Sequence, residues 1–234
     1  MIPDKRTTST VGLTTDEVKK ICRGTAASDR EDQLLCVVEE ELTQGFAFIK
    51  QYPRMVTIFG SARTHESDPY YEAARTLGSK IVTELKLAVG TGGGPGIMEG
   101  ANRGAQEAGG ASLGIGIKLA SEQQFNAYVT ESMNFHFFFT RKVIMTYSAG
   151  AFIYFPGGFG TLNEFFEIVT LLQTKKIPPA PVFLFGSDYW NPILNEIIEN
   201  DLEVREYIDR RDEHLFVITD SYDDIISGIK HFQE

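Results

Sequence analysis

The segment PGGFGTLNE, residues 156–164, carries the strongest fold signal in this chain. An apolar run, AFIYF (151–155), precedes it, and a run of helical character, FFEIVTLLQTKK (165–176), follows it. The order is therefore a strand, a glycine turn and the start of a helix. Such a turn directs backbone N–H groups and the positive end of the helix dipole towards one point, which suits a phosphate group. Glu164 stands one turn inside the same helix, so a carboxylate lies beside this anion cradle.

The composition limits the classes of protein to consider. The chain has 234 residues, of which 42% are hydrophobic, enough for one substantial core and an appendage. A net charge of −10 argues against a general nucleic-acid binder and against a binder of anionic membranes. The two cysteines, Cys22 and Cys36, give no disulfide framework and favour a reducing compartment. With no signal-peptide pattern and no bilayer-length apolar stretch, we expect a cytoplasmic protein.

From Met55 onward, short apolar runs alternate with segments of helical character. The strand candidates are VTIFG (56–60), LAVG (87–90), ASLGIGI (111–117), FHFFF (135–139), AFIYF (151–155), PVFLFG (181–186) and HLFVITD (214–220). The helix candidates lie near residues 70–85, 95–109, 141–149, 161–174, 189–200 and 221–232. This alternation predicts an α/β fold with a doubly wound, mainly parallel sheet that carries helices on both faces.

The N-terminal part follows a different pattern. Residues 1–13 are small and polar, which predicts a loose tail. Residues 14–50 carry apolar side chains at helical spacing. We therefore predict two parts, a tail with a helical extension over residues 1–50 and an α/β nucleotide-binding domain over residues 51–234.

A second glycine segment, GTGGGPGIME (90–99), also follows a strand candidate and opens a helix candidate. In a doubly wound sheet, ligands bind beyond the carboxyl ends of the strands. The loops at 90–99 and 156–161 would both lie at that edge, and we expect them to face one pocket if the strand order allows it. The alternative is that these glycines serve only turns and close packing. Two such loops at the same sheet edge favour this alternative less than a single loop would.

The familiar nucleotide signatures are absent from these loops. A dinucleotide loop GxGxxG that began at Gly90 would need glycine at the position of Pro95, and no Asp or Glu occurs between residues 108 and 121 to bind a ribose. No GxxxxGK[ST] phosphate loop occurs anywhere in the chain. Glycine loops without either signature suit a monophosphate.

Two candidate functional groups each have a structural alternative. Thr161 and Glu164 match a T-x-x-E capping box, whereas a catalytic glutamate would project into the pocket. Arg141 and Lys142 follow Thr140, a candidate N-cap, so that two cations oppose the helix dipole at about 0.5–1 kcal/mol each. An anionic ligand or a buried carboxylate would offset this repulsion; two solvated surface cations are the alternative.

Three further observations concern ligands and assembly. Ser61 follows the first strand candidate in FGSAR (59–63), where it could bind a ligand or form a turn. The helix candidate at 161–174 is apolar on nearly all sides, which predicts either burial or an oligomer interface. The four histidines show no metal-ligand spacing, so we predict no metal site.

In combination, these motifs resemble those of the Lonely Guy family of phosphoribohydrolases and nucleotide nucleosidases. PGGFGTLNE is similar to the family signature PGGxGTxxE, GGGPGIMEGANRGA (92–105) to its second glycine motif, and RKVIM (141–145) to its Arg-Lys-x-x-Met segment. The match extends from about residue 50 to the C-terminus. It implies a Rossmann-like fold and a dimer or higher homo-oligomer with the site near the subunit interface. It also implies cleavage of a nucleoside 5′-monophosphate into base and ribose 5-phosphate, without a cofactor.

The resemblance assigns roles to residues of this chain by position. It implies that Arg141 and Glu164 are the catalytic pair, and that Glu99 contacts the ribose. It implies nucleotide or phosphate binding by Gly92, Gly93, Gly94, Gly157, Gly158, Gly160, Thr161, Lys142 and Ser61. The chain departs from the family pattern at Asn163, where Asp is common, and at Ala120, which replaces a proline in a segment that covers the base. Members are often labelled lysine decarboxylases, but these residues suit a nucleotide rather than pyridoxal phosphate.

Two rival functions use the same phosphate cradle without catalysis. One is a carrier of a phosphorylated cofactor, similar to the molybdenum-cofactor carriers, which share a PGGxGT-like loop. The other is a nucleotide sensor in which the N-terminal helices form a regulatory surface. The presence of both Arg141 and Glu164 favours the enzyme.

Overall fold

Eight parallel strands form the central sheet. The computed structural model describes residues 9–11, 30–118, 124–195 and 207–233. The strands are β1 (Ser9–Val11), β2 (Met55–Phe59), β3 (Val89–Thr91), β4 (Ser112–Ile117), β5 (Glu131–Phe135), β6 (Ala149–Tyr154), β7 (Val182–Phe185) and β8 (Val217–Thr219). Their order across the sheet is β1-β5-β4-β3-β2-β6-β7-β8, with every neighbouring pair parallel.

The helices lie on both faces of this sheet, as the alternating pattern predicts. They are α1 (Arg30–Ile49), α2 (Pro69–Lys80), α3 (Ile97–Glu107), α4 (Phe138–Tyr147), α5 (Phe159–Gln173), α6 (Ser187–Leu194) and α7 (Tyr222–Gln233). A π-helical turn, Ile81–Leu85, continues α2, and a 3-10 helix, Arg210–Leu215, precedes β8. Among the described residues, no helix combines the length and the apolar character needed to cross a lipid bilayer.

Two apolar cores lie on opposite sides of the sheet. Side chains of α2, α3 and α7 pack on one face, and those of α1, α4, α5 and α6 pack on the other. Successive residues of one strand supply both cores: Ile153 of β6 lies in the first core, and its neighbours Phe152 and Tyr154 lie in the second. This explains why the central strands read as continuous apolar runs, because a parallel sheet between two helical layers buries both faces.

The strand order changes direction at β2, and this brings the two glycine loops together. The chain passes from β2 to β3 on one side, whereas β6 joins β2 on the other. Ser61, in the loop after β2, donates its backbone N–H to Pro156 O at 3.0 Å and accepts the N–H of Ile97 at 3.1 Å. The loops after β3 and β6 are therefore linked through Ser61 at the carboxyl edge of the sheet, as predicted, whereas a single pocket shared by both loops stays a prediction.

Several predicted element boundaries are wrong. The strand expected at 135–139 is β5, which ends at Phe135, so that Phe138 and Phe139 begin α4 and are half exposed. A short aromatic run does not distinguish the two structures, and pairing with β4 selects the preceding residues ESMNF. The predicted loose tail contains β1, which pairs with β5 at the sheet edge.

Both predicted threonine caps are also wrong. The N-cap of α4 is Phe137 and that of α5 is Gly158, so Thr140 and Thr161 are each the third residue of their helix. Gly158 has the extended conformation of an N-cap, with φ −89° and ψ −159°, and the helix begins before the first residue with a capping side chain. Hence Glu164 is not the partner of a local capping box.

The described residues include only part of the predicted N-terminal helix. The described part is α1, and residues 14–29 of the helix expected over 14–50 lie outside the described residues. Cys36 on α1 is disulfide-bonded, which the cysteine count does not indicate. At the other end of the chain, the predicted helix 189–200 corresponds to α6, and its last residues, from 196, also lie outside the described set.

Candidate active site

Arg141 is the residue that connects the parts of the candidate site. Only 8% of it is exposed, and it lies on α4 at the carboxyl edge of the sheet. Its Nε donates a hydrogen bond to Ile115 O of β4 at 2.8 Å, and its Nη1 donates to Glu164 Oε1 of α5 at 3.1 Å. A Cβ atom at Gly92 would lie 2.7 Å from Nη2. The guanidinium therefore lies between β4, the first glycine loop and α5, the helix that follows the second glycine loop.

Glu164 points towards Arg141 from the second turn of α5. Its side chain is 16% exposed, and the two form an ion pair between their elements. Burial raises the pKa of Glu164 above its ordinary value, and the nearby Arg141 only partly offsets this effect. The carboxylate therefore occupies an environment of low polarity, as is common for groups that exchange protons in catalysis.

The loop before α5 forms a cradle around the start of that helix. A Cβ atom at Gly157 would lie 2.2 Å from Thr161 Oγ1, so packing alone requires glycine at this position. Gly158 and Gly160 have no neighbour within 4 Å of an added Cβ and no positive φ, so the protein itself does not require glycine there. Both leave open space beside the N–H groups of the first helical turn, as an anion would need. Tyr189 supports the loop by donating its hydroxyl to Gly157 O at 2.5 Å.

The loop after β3 turns sharply between two glycines. Gly93 and Gly96 have φ of +72° and +70°, where other L-residues are strained. An added Cβ would also meet the ring of Phe125 at Gly93 and the carbonyl oxygen of Ser61 at Gly96, each at 2.3 Å. Glycine at these two positions is consequently explained by the fold, independently of any ligand.

A buried polar network holds this loop in place. Thr91 Oγ1 donates to Asn102 Oδ1 at 2.6 Å and accepts the N–H of Gly93 at 2.9 Å. Asn102 Nδ2 donates to Ser112 Oγ at 2.8 Å, and Asn126 Nδ2 donates to Asn102 Oδ1 at 3.0 Å. Because each group has a partner, the network can lie in the interior at little cost.

Asn102, Asn126 and Tyr189 support the two glycine loops but are not among the residues predicted from the sequence. The detectable signal for Asn102 is its position among small residues on the inner side of α3, where a polar side chain needs buried partners. No sequence signal identifies Asn126, because its partners Gly93 and Gly94 lie more than thirty residues away in the chain.

A cavity of about 200 Å³ lies between the first glycine loop and Arg141. It is lined by Ala62, Gly92, Gly93, Gly94, Met98, Gly116, Ile117, Gln124, Phe125, Asn134 and Arg141. A larger apolar cavity of about 860 Å³ lies at the opposite edge of the sheet, around the start of β7 and β8, and contains none of the predicted site residues. We assign the site to the smaller cavity, because Arg141 of the buried ion pair lines it. Glu164 and residues 156–161 of the second glycine loop are not among its lining residues.

Three predicted site residues have contacts that differ from their expected roles. The carboxylate of Glu99 accepts a hydrogen bond from Tyr71 at 3.1 Å and does not line the cavity, so its contact with a ribose stays a prediction. Lys142 Nζ bridges to Asn163 and Glu167 on α5. The hydroxyl of Ser61 accepts the N–H of Arg63 at 3.1 Å, as in a turn.

Comparisons with known proteins identify the family. The model of the family described as "possible lysine decarboxylase" matches residues 98–229. The cytokinin riboside 5′-monophosphate phosphoribohydrolase of Rhodococcoides fascians is 30% identical over 148 residues, which cover 62% of this chain and 74% of that protein. A probable enzyme of the same name from Oryza sativa subsp. japonica, LOGL2, is 28% identical over 200 residues, covering 84% of this chain and 80% of that protein.

Solved structures confirm the fold. The molybdenum cofactor carrier protein of Chlamydomonas reinhardtii superposes with a TM-score of 0.54 at 22% identity, covering 77% of this chain and 98% of that chain. The molybdenum cofactor binding protein of Rippkaea orientalis gives 0.54 at 19% identity, with 78% and 98% covered. At this identity the likeness supports the Rossmann-like architecture alone. From the family match and the named relatives, the chain belongs to the Lonely Guy family, whose model carries the lysine decarboxylase description.

Proposed function

We propose that this protein hydrolyses the N-glycosidic bond of a nucleoside 5′-monophosphate, an AMP-like nucleotide or a cytokinin riboside 5′-monophosphate, to free base and ribose 5-phosphate. The observation that carries the proposal is the buried ion pair between Arg141 and Glu164, which lies between two glycine loops. The loop before α5 would bind the phosphate. The named activity of the curated relatives supports this assignment.

The chemistry follows from the charge that develops during cleavage. As the bond between C1′ and the base nitrogen breaks, its electron pair leaves with the base and positive charge builds on the ribose. The Glu164 carboxylate stabilises that charge and accepts a proton from the water that attacks C1′. The departing base takes up a proton, so that overall the hydroxide of the water is added to C1′ and its proton to the base. Arg141 and the phosphate cradle fix the nucleotide so that C1′ meets the carboxylate.

The experiment that tests this proposal measures free base released from AMP, GMP, CMP, UMP, IMP and isopentenyl-AMP. We expect release from at least one of them, with ribose 5-phosphate as the equimolar second product. If none releases base while nucleotides raise the melting temperature, the protein is a binder and the hydrolase assignment is wrong.

The second candidate is a carrier of a phosphorylated cofactor, because the open space at Gly158 and Gly160 would serve the binding of a phosphate with or without catalysis. The solved structures that share this fold include molybdenum cofactor carriers. A carrier needs the cradle before α5 but no buried carboxylate beside the bound sugar. The base-release assay therefore separates the two candidates without a further reagent.

The substitution Gly160→Ala distinguishes an effect on phosphate binding from an effect on folding. Gly160 lies in the first turn of α5 with open space around it, so alanine should fit and stabilise the fold by up to about 1 kcal/mol. The added methyl group would occupy space that we assign to the phosphate, and we expect nucleotide affinity to fall at least about tenfold. Thermal unfolding and calorimetric titration with AMP measure the two effects. Gly157→Ala, which would clash with Thr161, should instead lower stability.

We also propose that the protein forms a homodimer or a higher homo-oligomer. Phe139, Val143 and Tyr147 follow one another at i, i+4 and i+8 on α4 and are exposed, and Phe159 and Phe166 are exposed on α5. An apolar surface of this extent is typical of an interface, and in a symmetric pair the same patch meets its copy. Because α4 and α5 carry Arg141 and Glu164, this interface would adjoin the site, in agreement with the family resemblance.

Val143→Arg tests the proposed assembly. We expect the variant to sediment as a smaller species than the wild type, because the new charge would have to be buried between two copies. Val217→Arg is a matched control, since Val217 is similarly exposed on β8, the strand at the edge of the sheet, and does not belong to the proposed apolar surface of α4 and α5. Equal sedimentation of the wild type and Val143→Arg would contradict the placement of the interface.

A further inference from the structure

The start of α4 lacks a capping group of its own. Its N-cap residue, Phe137, makes no side-chain capping hydrogen bond, and its first turn holds no acidic residue. Arg141 adds a positive charge to that turn, which opposes the helix dipole. A helix start of this composition depends on an acceptor from another element.

Glu41 of α1 supplies that acceptor. It is 4% exposed. Its Oε2 accepts a hydrogen bond from Thr140 Oγ1 at 2.6 Å, and its Oε1 accepts one from the backbone N–H of His136. His136 and Thr140 stand on either side of the N-cap, and Thr140 directly precedes Arg141. The carboxylate therefore accepts hydrogen bonds on both sides of the N-cap, in the turn that leads into Arg141.

Close packing of α1 against α4 sets the position of Glu41. One turn further along α1, a Cβ atom at Gly45 would lie 2.6 Å from Cγ1 of Ile144, so the backbone of α1 approaches α4 closely. The ring of Phe46 meets that of Tyr147 edge to face, with 4.9 Å between centroids. These contacts hold α1 along the length of α4.

The dipole of α4 favours a charged acceptor at the position of Glu41. Among the described residues, no Lys or Arg forms an ion pair with Glu41, and His136 Nδ1 lies 3.9 Å from Oε1. A buried carboxylate without a close cation is expensive unless hydrogen bonds and a favourable field compensate. The positive end of α4 provides that field.

We propose that Glu41 is a positioning residue for Arg141, which it holds in register by fixing the first turn of α4. The N-terminal helical extension is thereby part of the site's framework, although none of its described residues is among those that line the cavity. The effect on catalysis rests on the proposed function, whereas the effect on the arginine does not.

Hydrogen exchange at the Arg141 Nε–H tests this proposal without requiring activity. That group donates to Ile115 O in the interior, and its signal can be assigned by comparison with Arg141→Lys. At an equal interval below each melting temperature, we expect Glu41→Ala to speed the exchange at least tenfold and Glu41→Gln, which keeps an acceptor but loses the charge, to speed it less. Phe48→Ala, a buried position on the same helix, should leave it within about threefold of the wild type. Equal exchange in Glu41→Ala and Phe48→Ala would overturn the proposal.

A double-mutant cycle supplies a second readout that a merely structural residue would not change. Glu41→Gln should lower AMP affinity, or kcat/KM where turnover is measurable, at least fivefold in the wild type. In the Arg141→Lys background we expect no further loss, since the positioned group is absent. Equal losses in both backgrounds would contradict positioning. A wild type that releases no base but shows the exchange effect would overturn the hydrolase assignment and support the role of Glu41.

Discussion

Glu164→Gln is expected to lower base release by about 10²–10⁴-fold while nucleotide affinity stays within a few-fold of the wild type. Glutamine has the same shape and still accepts a hydrogen bond from Arg141, so the cavity and the cradle persist. It carries no negative charge to stabilise the ribose cation and no base to accept a proton from water. Steady-state release of free base, together with calorimetric titration of the nucleotide, measures both quantities.

Glu167→Gln is the matched control for this prediction. Glu167 lies one turn further along α5 and pairs with Lys142 rather than with Arg141. Loss of its charge should leave turnover within about threefold of the wild type, because a partly exposed ion pair contributes little. Unchanged turnover in Glu164→Gln, or an equal loss in both variants, would contradict the assignment of the catalytic carboxylate.

Because the pKa of Glu164 is raised, Glu164→Gln should also change how the free energy of unfolding depends on pH. Between the ordinary pKa of 4.5 and the higher folded value, the folded state binds more protons than the unfolded state. Wild-type stability should therefore fall, relative to Glu164→Gln, as pH rises through this window, and the two proteins should converge below it. Catalysis needs the ionised carboxylate, so the acid limb of kcat/KM should also lie above pH 4.5.

Arg141→Met is expected to reduce both nucleotide affinity and turnover, the latter by at least about 10²-fold. The change leaves Ile115 O without its donor and Glu164 buried without its cation, which costs about 3–5 kcal/mol in comparable buried pairs. The pKa of Glu164 would rise further, because Arg141 is the main influence that lowers it. Thermal unfolding, nucleotide titration and base release of the same preparation measure the three effects.

Arg141→Lys distinguishes charge from geometry at this position. Lysine keeps the positive charge but cannot donate at once to Ile115 O and to Glu164 from a planar group. We expect a smaller loss of stability than in Arg141→Met and a comparable loss of turnover. A fully active Arg141→Met variant would show that the arginine is only a structural cation.

The sequence was sufficient to predict the layers of the fold, and its motifs include Arg141 and Glu164, which the structure joins in a buried ion pair. Apolar runs bounded by glycine turns predict β2, β3, β4, β6 and β7, because a strand buried on both faces needs apolar side chains along its whole length. The glycine-rich turns near Arg141 and Glu164 predict a ligand-binding site for a different reason. Ligands bind beyond the carboxyl ends of parallel strands, where these turns lie. Local patterns failed where the choice between helix and strand depends on pairing, as at Phe138 and Phe139.

The contacts that assemble the site could be obtained only from the tertiary structure. Sequence spacing does not show that Arg141 bonds to β4, that Asn126 holds the first glycine loop, or that Glu41, about a hundred residues earlier, binds the turn before Arg141. Propensity and periodicity act over a few residues and follow from backbone geometry, so the sequence by itself determined the central apolar strands and the faces that they bury. Strand order and helix packing decided which distant groups meet, because those contacts depend on how whole elements share two cores.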